Sequence, residues 1–156
     1  MGNAALSPAK QGQANPKALE ASFWRFAATQ AAHSENERLT DIRTGFSSTL
    51  PQALRATFRL QDKQVETLLN ASTSTLERRR REHKRLDSVA SERLDRIASV
   101  SQLAAEVFED KQAAADWLSR SNDALGGHAP IMLCDTDIGT KQVRRALHAM
   151  EWGGVA

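Results

Sequence analysis

A chain of 156 residues with a formal net charge of +2 is long enough for one domain, or for one domain with a small appendage. Hydrophobic residues make up 40% and charged residues 26% of the chain, values that exclude wholesale disorder. Alanine occupies 25 positions, whereas valine and isoleucine together occupy 10, which is too few β-branched residues for several strands. The composition therefore predicts an all-α protein.

The sequence also excludes several protein classes. No stretch reaches the roughly 20 apolar residues of a membrane span, and the N-terminus lacks the basic-then-apolar order of a signal peptide. The single cysteine, Cys134, cannot form an internal disulfide, and no Cys/His set has zinc-ligand spacing. We therefore expect a cytoplasmic protein with no membrane partner, no metal and no cofactor.

The N-terminal part is predicted to contain a tail followed by helices. Residues 1–14 are small, polar and aperiodic, and we interpret them as a flexible tail. Asn15 and Pro16 are typical of a helix start, and Ser34 to Glu37 form a capping-box sequence before a second helix that stops near Gly45. We assign residues 15–49 to N-terminal helices whose aromatic surface is available for dimerisation.

Residues 50–88 have the pattern of a helix-turn-helix. One helix is predicted from Leu50, a second from Asp62, and a third after the turn Asn70-Ala71-Ser72, where Ser72 can cap it. Two helices joined by a turn of about three residues, with a basic outer face on the second, are typical of DNA-binding proteins.

The strongest charge feature lies at the end of this segment. Residues 76–97 carry a net charge of +3, whereas residues 98–156 carry −3, so the chain has a basic middle and an acidic C-terminal third. Arginine and hydroxyl side chains suit contacts to phosphates and guanine. Four successive arginines cannot all face one groove, because helix positions are about 100° apart, so some are expected to pair with nearby acids such as Glu77 and Glu82. The predicted DNA-binding residues are Ser72, Thr73, Ser74, Thr75, Arg78, Arg79, Arg80, Arg81, Lys84 and Arg85.

Residues 89–156 are predicted to form a helical C-terminal part. A long helix carries an apolar stripe from Ala90 to Phe108, which offers a second surface for contact between protomers, and a shorter helix carries Trp117 on its apolar face. The last helix has its final apolar position at Met150 and is expected to stop at Gly153. Trp152 then belongs to a terminal tail, where it is either a staple on the helix end or an exposed anchor for a partner.

No constellation of residues indicates an enzyme. The histidines have no triad neighbours, and phosphate-binding and dinucleotide-binding glycine motifs are missing. Asp135 and Asp137 are interpreted as helix-capping residues instead of a cation site, and Cys134 as a buried residue instead of a nucleophile.

The order of these motifs resembles a known family, the Xre-type antitoxins with an Xre/MbcA/ParS toxin-binding domain that pair with RES-domain toxins. The resemblance covers about residues 50–156. It is carried by Leu68-Leu69-Asn70-Ala71-Ser72-x-Ser74-Thr75-Leu76-x-Arg78-Arg79, Ser91-Glu92-Arg93-Leu94-x-Arg96, Ala105-Glu106-Val107-Phe108, Ala115-Asp116-Trp117-Leu118, Asn122-x-Ala124-Leu125-Gly126-Gly127-x-x-Pro130 and Gly139 to Gly153 with Val143, Leu147 and Glu151-Trp152.

This resemblance implies a bacterial type II antitoxin that represses its own operon by binding operator DNA and inhibits a toxin acting on NAD. Because a single helix-turn-helix contacts too few base pairs for useful specificity, we predict a homodimer or a higher even-numbered assembly. It also implies that the C-terminal end approaches the NAD pocket of the toxin. The implied toxin-contacting residues are Trp117, Leu118, Leu125, Gly126, Gly127, Glu151, Trp152, Gly153, Gly154 and Val155. For Trp117 and for Leu125-Gly126-Gly127, a role in the core of the domain is an equally good interpretation. The alternative hypothesis is a stand-alone helix-turn-helix regulator whose C-terminal part serves only for dimerisation.

Overall fold

The structure, a computed structural model, describes residues 15–153. The tail predicted for residues 1–14 lies outside this range. Within it the protein is all-α, as the composition predicts, and two 3-10 helices, Asp123–Leu125 and Pro130–Asp135, lie in the C-terminal part. The α-helices of the described range are α1 (Pro16–Ala32), α2 (Glu35–Thr44), α3 (Leu50–Phe58), α4 (Asp62–Leu69), α5 (Thr73–Arg81), α6 (Ser88–Phe108), α7 (Lys111–Ser119) and α8 (Asp137–Gly153).

Most helix starts follow from local sequence signals. The Asn15 side chain accepts a hydrogen bond from the backbone N–H of Lys17 at 2.8 Å, and Ser34 and Glu37 form the predicted capping box at the start of α2. Asp87 and Asp110 cap α6 and α7 by accepting backbone N–H bonds. The caps at Asn15 and Ser34 confirm the helix starts predicted there. Each cap satisfies a backbone N–H that the first turn of a helix leaves unpaired.

Helix α6 is the central element of the fold. Helices α1, α2 and α4 pack on it from the N-terminal side of the chain, and α7, α8 and the 3-10 helix Pro130–Asp135 pack on it from the C-terminal side. Its residues Leu94 and Ile97 have no exposed surface, and the buried side chains of both halves belong to one hydrophobic core. The two halves of the chain are therefore packed as one folded unit.

The two apolar surfaces predicted for contact between protomers are instead used within one chain. Phe23 of α1 is fully buried and makes an edge-to-face contact with Phe58 of α3, with ring centroids 5.3 Å apart. The α6 stripe is buried from Ala90 to Ala104 between α1 and the C-terminal helices. The prediction that these two surfaces mediate contact between protomers is therefore wrong. The pattern of apolar residues indicated that each face is buried, but it did not indicate whether the covering surface belongs to the same chain or to a second protomer.

One buried carboxylate ties the N-terminal helices to α6. Asp95 is only 5% exposed, and it accepts hydrogen bonds from Gln30 of α1 at 3.0 Å and from the Arg38 guanidinium of α2 at 2.6 and 3.1 Å. The ion pair raises the pKa of Arg38. Because a buried carboxylate is costly without partners, this network determines how α1 and α2 sit on α6.

Candidate functional site

The predicted helix-turn-helix is present as α4, a three-residue turn and α5. Val65, Leu68 and Leu69 bury the inner face of α4, and Asn70 ends this helix in the left-handed conformation at φ 52°. The guanidinium of Arg93 on α6 donates to the Leu68 carbonyl at 3.2 Å, at the C-terminal end of α4. The turn is thus held against α6, which leaves α5 on the outside of the protein.

The outer face of α5 carries the side chains best placed to meet a nucleic acid. Leu76 is the one buried residue of this helix, and Ser74, Arg78 and Arg81 lie roughly opposite to it at spacings of four and three residues. All three are exposed, and within residues 15–153 neither Arg78 nor Arg81 makes an ion pair. Two unpaired guanidiniums on one helix face are suited to phosphate and guanine contacts.

The other basic residues of the segment make contacts within the chain. Arg79 donates to the backbone carbonyl of Arg85 at 2.6 Å, and Arg80 pairs with Glu77 at 2.8 Å, as expected for part of the arginine run. Arg85 in turn donates to the Gly45 carbonyl at 3.0 Å. Lys84 lies 3.4 Å from Glu82 on the surface. The structure therefore divides the basic residues of this set into an outward pair and four side chains with partners in the chain, of which only Arg79 and Arg85 hold the loop after α5.

The hydroxyl groups at the start of α5 serve mainly as caps. The Ser72 side chain accepts the backbone N–H of Thr75 at 3.1 Å, and its own hydroxyl donates to that of Thr75 at 2.9 Å. The backbone N–H of Thr73 donates to the Glu66 carboxylate at 2.6 Å, and this bond lowers the pKa of Glu66. Of the four predicted hydroxyls, only Ser74 lies on the outer face without a capping bond.

A loop that the sequence did not single out supports this interface. Gly45 adopts φ +95°, and a Cβ added there would lie 2.4 Å from the Leu86 carbonyl oxygen, so no other residue fits. The next residue, Phe46, donates its N–H to the Ser91 hydroxyl at 3.0 Å and accepts the Leu86 N–H at 3.0 Å. The glycine was interpreted only as a helix stop, because the contact across 40 residues leaves no local pattern.

The second predicted surface lies around α7. Trp117 is half-buried against Phe108, with ring centroids 5.9 Å apart, and both line a cleft of about 360 Å³. Asp116 at the same cleft pairs with Arg59 at 2.6 Å, a contact between α7 and the C-terminal end of α3. The sequence left open whether Trp117 is a core residue or an accessible contact for a partner. In the structure it is both, because one part of its side chain packs on Phe108 and the rest lines the cleft.

The predicted contacts next to Trp117 differ in accessibility. Leu118 is fully buried, so its assignment as a toxin-contacting residue is corrected: its side chain fills the core between α6 and α7. Leu125 is half-buried, whereas Gly126 and Gly127 are exposed with φ of 74° and 83°. Of these predicted contacts, Gly126, Gly127 and the exposed edges of Trp117 and Leu125 are accessible to a partner in the folded protein.

The C-terminal end differs from the prediction in conformation. Helix α8 extends to Gly153, so Trp152 is helical and not part of a tail, because the apolar periodicity marks the buried turns of a helix and not its end. Trp152 is 84% exposed, which excludes the helix-end staple, and Glu151 and Gly153 are also exposed. Gly154 and Val155 lie outside the described residues.

Among residues 15–153, no group of three metal-ligating side chains occurs. Cys134 is fully buried, and burial raises the pKa of its thiol to about 12. In the same range, no helix is both long enough and apolar enough to cross a membrane.

Comparison with known proteins identifies both halves of the chain. The family model "antitoxin Xre-like helix-turn-helix domain" matches residues 37–99, and "antitoxin Xre/MbcA/ParS C-terminal toxin-binding domain" matches residues 103–153. The first match begins within α2, earlier than the resemblance at residue 50, and the three residues between the two matches, 100–102, lie within α6. A search of curated proteins gave no match. The chain therefore carries an Xre-like antitoxin helix-turn-helix domain followed by an Xre/MbcA/ParS C-terminal toxin-binding domain.

Proposed function

We propose that this chain neutralises a RES-domain toxin that consumes NAD, by placing the C-terminal end of α8 in the NAD pocket of the toxin. The observation that carries this proposal is the position of Trp152. It is the most exposed large hydrophobic side chain among the described residues, and it lies at the end of the matched toxin-binding domain. The RES class of the toxin rests on the motif resemblance.

The end of α8 is suited to entering a pocket. An exposed tryptophan gains about 25 cal/mol for each Å² of apolar surface that a partner covers, and tryptophan is enriched among residues that dominate binding energy. The glycines at positions 153 and 154 have no side chain to keep the partner's backbone away. Inhibition then occurs by occupying the substrate site, and NAD competes with the antitoxin.

Truncation after Glu151 tests the mechanism. The last fully buried residue of α8 is Leu147, so the truncated chain keeps its core and its operator binding. We expect loss of growth rescue and loss of protection of NAD in a toxin reaction, with an unchanged gel shift on operator DNA. Lys141→Ala, on an exposed position of the same helix, is the control for a general effect of altering α8. Full neutralisation by the truncated chain would refute the proposal.

We further propose that the chain represses its own operon through the outer face of α5. Arg78 and Arg81 supply phosphate and base contacts, and Ser74 lies between them and the start of the helix. A single helix-turn-helix reads too few base pairs for useful specificity, so operator binding requires a homodimer or a higher even-numbered assembly. Such binding places the protein in the bacterial cytoplasm. A strictly monomeric mass on operator DNA, measured by light scattering, would contradict the proposed homodimer or higher even-numbered assembly.

The stand-alone regulator remains the competing function, and co-expression separates the two. A stoichiometric complex with the product of the neighbouring reading frame supports the antitoxin, and the enzymatic assay of that product on NAD tests its RES class. Operator binding without any toxin complex would favour the stand-alone regulator.

A further inference from the structure

The outward side of α8 carries an ordered row of side chains that the fold does not use. The buried residues of this helix, Gly139, Thr140, Val143 and Leu147, all face the core. At about 100° per residue, the opposite side consists of five exposed residues at spacings of four, three, four and three. We call this row the outer face of α8; its residues are Ile138, Gln142, Arg145, Ala149 and Trp152.

This outer face is apolar at its two ends. Ile138 is 72% exposed and Trp152 is 84% exposed, and they are the two most exposed large hydrophobic side chains of the described residues. They are separated by about 21 Å along the helix at 1.5 Å per residue. Because both lie on the same side of the helix, one partner surface along α8 can contact both of them.

Charge at the middle of the row is uncompensated. Lys141 on the flank lies 3.2 Å from Asp137, and His148 lies 3.3 Å from Glu151, so both flanking groups have partners on α8 itself. Arg145 is exposed and makes no ion pair within residues 15–153. The outer face therefore presents one isolated guanidinium midway between two apolar anchors.

This charge position disfavours a second copy of the chain as the occupant. Arg145 is seven residues from both Ile138 and Trp152, so it is the midpoint of the row. If two copies paired along this face, parallel or antiparallel, one Arg145 would lie opposite the other. Like charges placed opposite each other in an interface are destabilising.

We propose that the toxin binds along the whole outer face of α8, in a groove with apolar ends and a carboxylate opposite Arg145. This inference rests on the proposed function, since it takes the toxin as the partner, but it extends the contact well beyond the C-terminal end. Ile138 anchors the end of the helix distant from the NAD pocket, and Arg145 sets the register of the helix in the groove.

Two substitutions far from the C-terminal end test this surface. Ile138→Ala removes the distant anchor, and Arg145→Glu reverses the central charge. Val89→Ala and Arg25→Glu are matched controls, because they alter an exposed apolar residue and an exposed arginine outside the toxin-binding domain. Affinity for the purified toxin is measured by calorimetry on the full chain, with the melting temperature and the operator gel shift recorded for each variant.

We expect both test variants to bind the toxin about tenfold or more weakly, with unchanged melting temperature and operator binding, since both side chains are exposed. The controls keep wild-type affinity. Arg145→Gln, which removes charge without reversing it, also makes the dissociation constant less dependent on salt.

Wild-type affinity in Ile138→Ala and Arg145→Glu, together with loss of binding on truncation after Glu151, would overturn this inference and leave the proposed function intact. Failure of the wild-type chain to bind the toxin would instead refute the proposed function. Loss of self-association in the Arg145 variants, with toxin affinity unchanged, would assign the face to a second copy and overturn the inference as well.

Discussion

The two arginine pairs of α5 are expected to behave differently when each is replaced by alanine. Arg78 and Arg81 are exposed and lack ionic partners within the described residues, whereas Arg79 holds the Arg85 carbonyl and Arg80 holds Glu77. The sequence alone places all four arginines in the predicted DNA-binding set and does not distinguish which of them contact DNA. With the contacts known, we expect Arg78→Ala/Arg81→Ala to be the variant that weakens DNA binding.

The expected effect follows from counterion release. Each phosphate neutralised by a protein contributes about −0.9 to the slope of log K against log salt. If both outward guanidiniums contact phosphates, Arg78→Ala/Arg81→Ala makes the slope shallower by about 1.8 per bound protomer. Between about 50 and about 200 mM salt, the variant then loses roughly tenfold less affinity than the wild type.

The second double variant, Arg79→Ala/Arg80→Ala, tests whether these two arginines contribute to stability and not to DNA binding. Arg79→Ala/Arg80→Ala removes one charged hydrogen bond and one partly exposed ion pair, so it lowers the free energy of unfolding by roughly 1–2 kcal/mol. Its salt slope on operator DNA stays close to that of the wild type. Fluorescence anisotropy over a salt series gives both slopes, and urea unfolding gives the stabilities. A larger slope change in Arg79→Ala/Arg80→Ala than in Arg78→Ala/Arg81→Ala would refute the division of the arginines.

Three further predictions concern stability and reactivity. Gly45→Ala lowers the free energy of unfolding by roughly 1–3 kcal/mol in urea, because the added Cβ meets the Leu86 carbonyl at 2.4 Å and φ is positive. Gly127→Ala has a similar φ but open space, so equal losses in the two variants would show that the contact with Leu86 is unimportant. The pKa of Glu66 is lowered from 4.5, so its stabilising bond to Thr73 is fully present above pH 4.5 and is lost as the pH falls through the lowered pKa. Thermal melts from about pH 7 to about pH 3 should therefore fall less steeply for Glu66→Gln than for the wild type. The Cys134 pKa of about 12 keeps the thiol protonated, so iodoacetamide labels it at neutral pH only when the protein unfolds, and labelling as fast as a free thiol would contradict its burial.

The sequence by itself determined the helices and their starts. Caps such as Asn15, Ser34 and Ser72 act on backbone groups within four residues, and apolar spacing follows directly from the helical repeat. For the same reason, the helix-turn-helix and the order of the C-terminal motifs could be predicted, and both family models match there. The assignment of Trp152 to a tail was wrong, because this residue contributes to no buried stripe, whereas α8 extends to Gly153, the predicted stop.

Only the tertiary structure decided which surfaces remain free. A stripe such as the one on α6 shows that a face is covered, but the choice between α1 and a second protomer depends on contacts distant in the chain. Arg78 and Arg79 are chemically identical neighbours, but their side chains differ in availability for DNA. Arg79 donates to the Arg85 carbonyl, whereas Arg78 is on the exposed outer face of α5. Gly45 against Leu86 and Asp95 between two helices are likewise contacts across more than 40 residues. Such pairings leave no periodicity in the sequence, because they arise only when separate helices pack together.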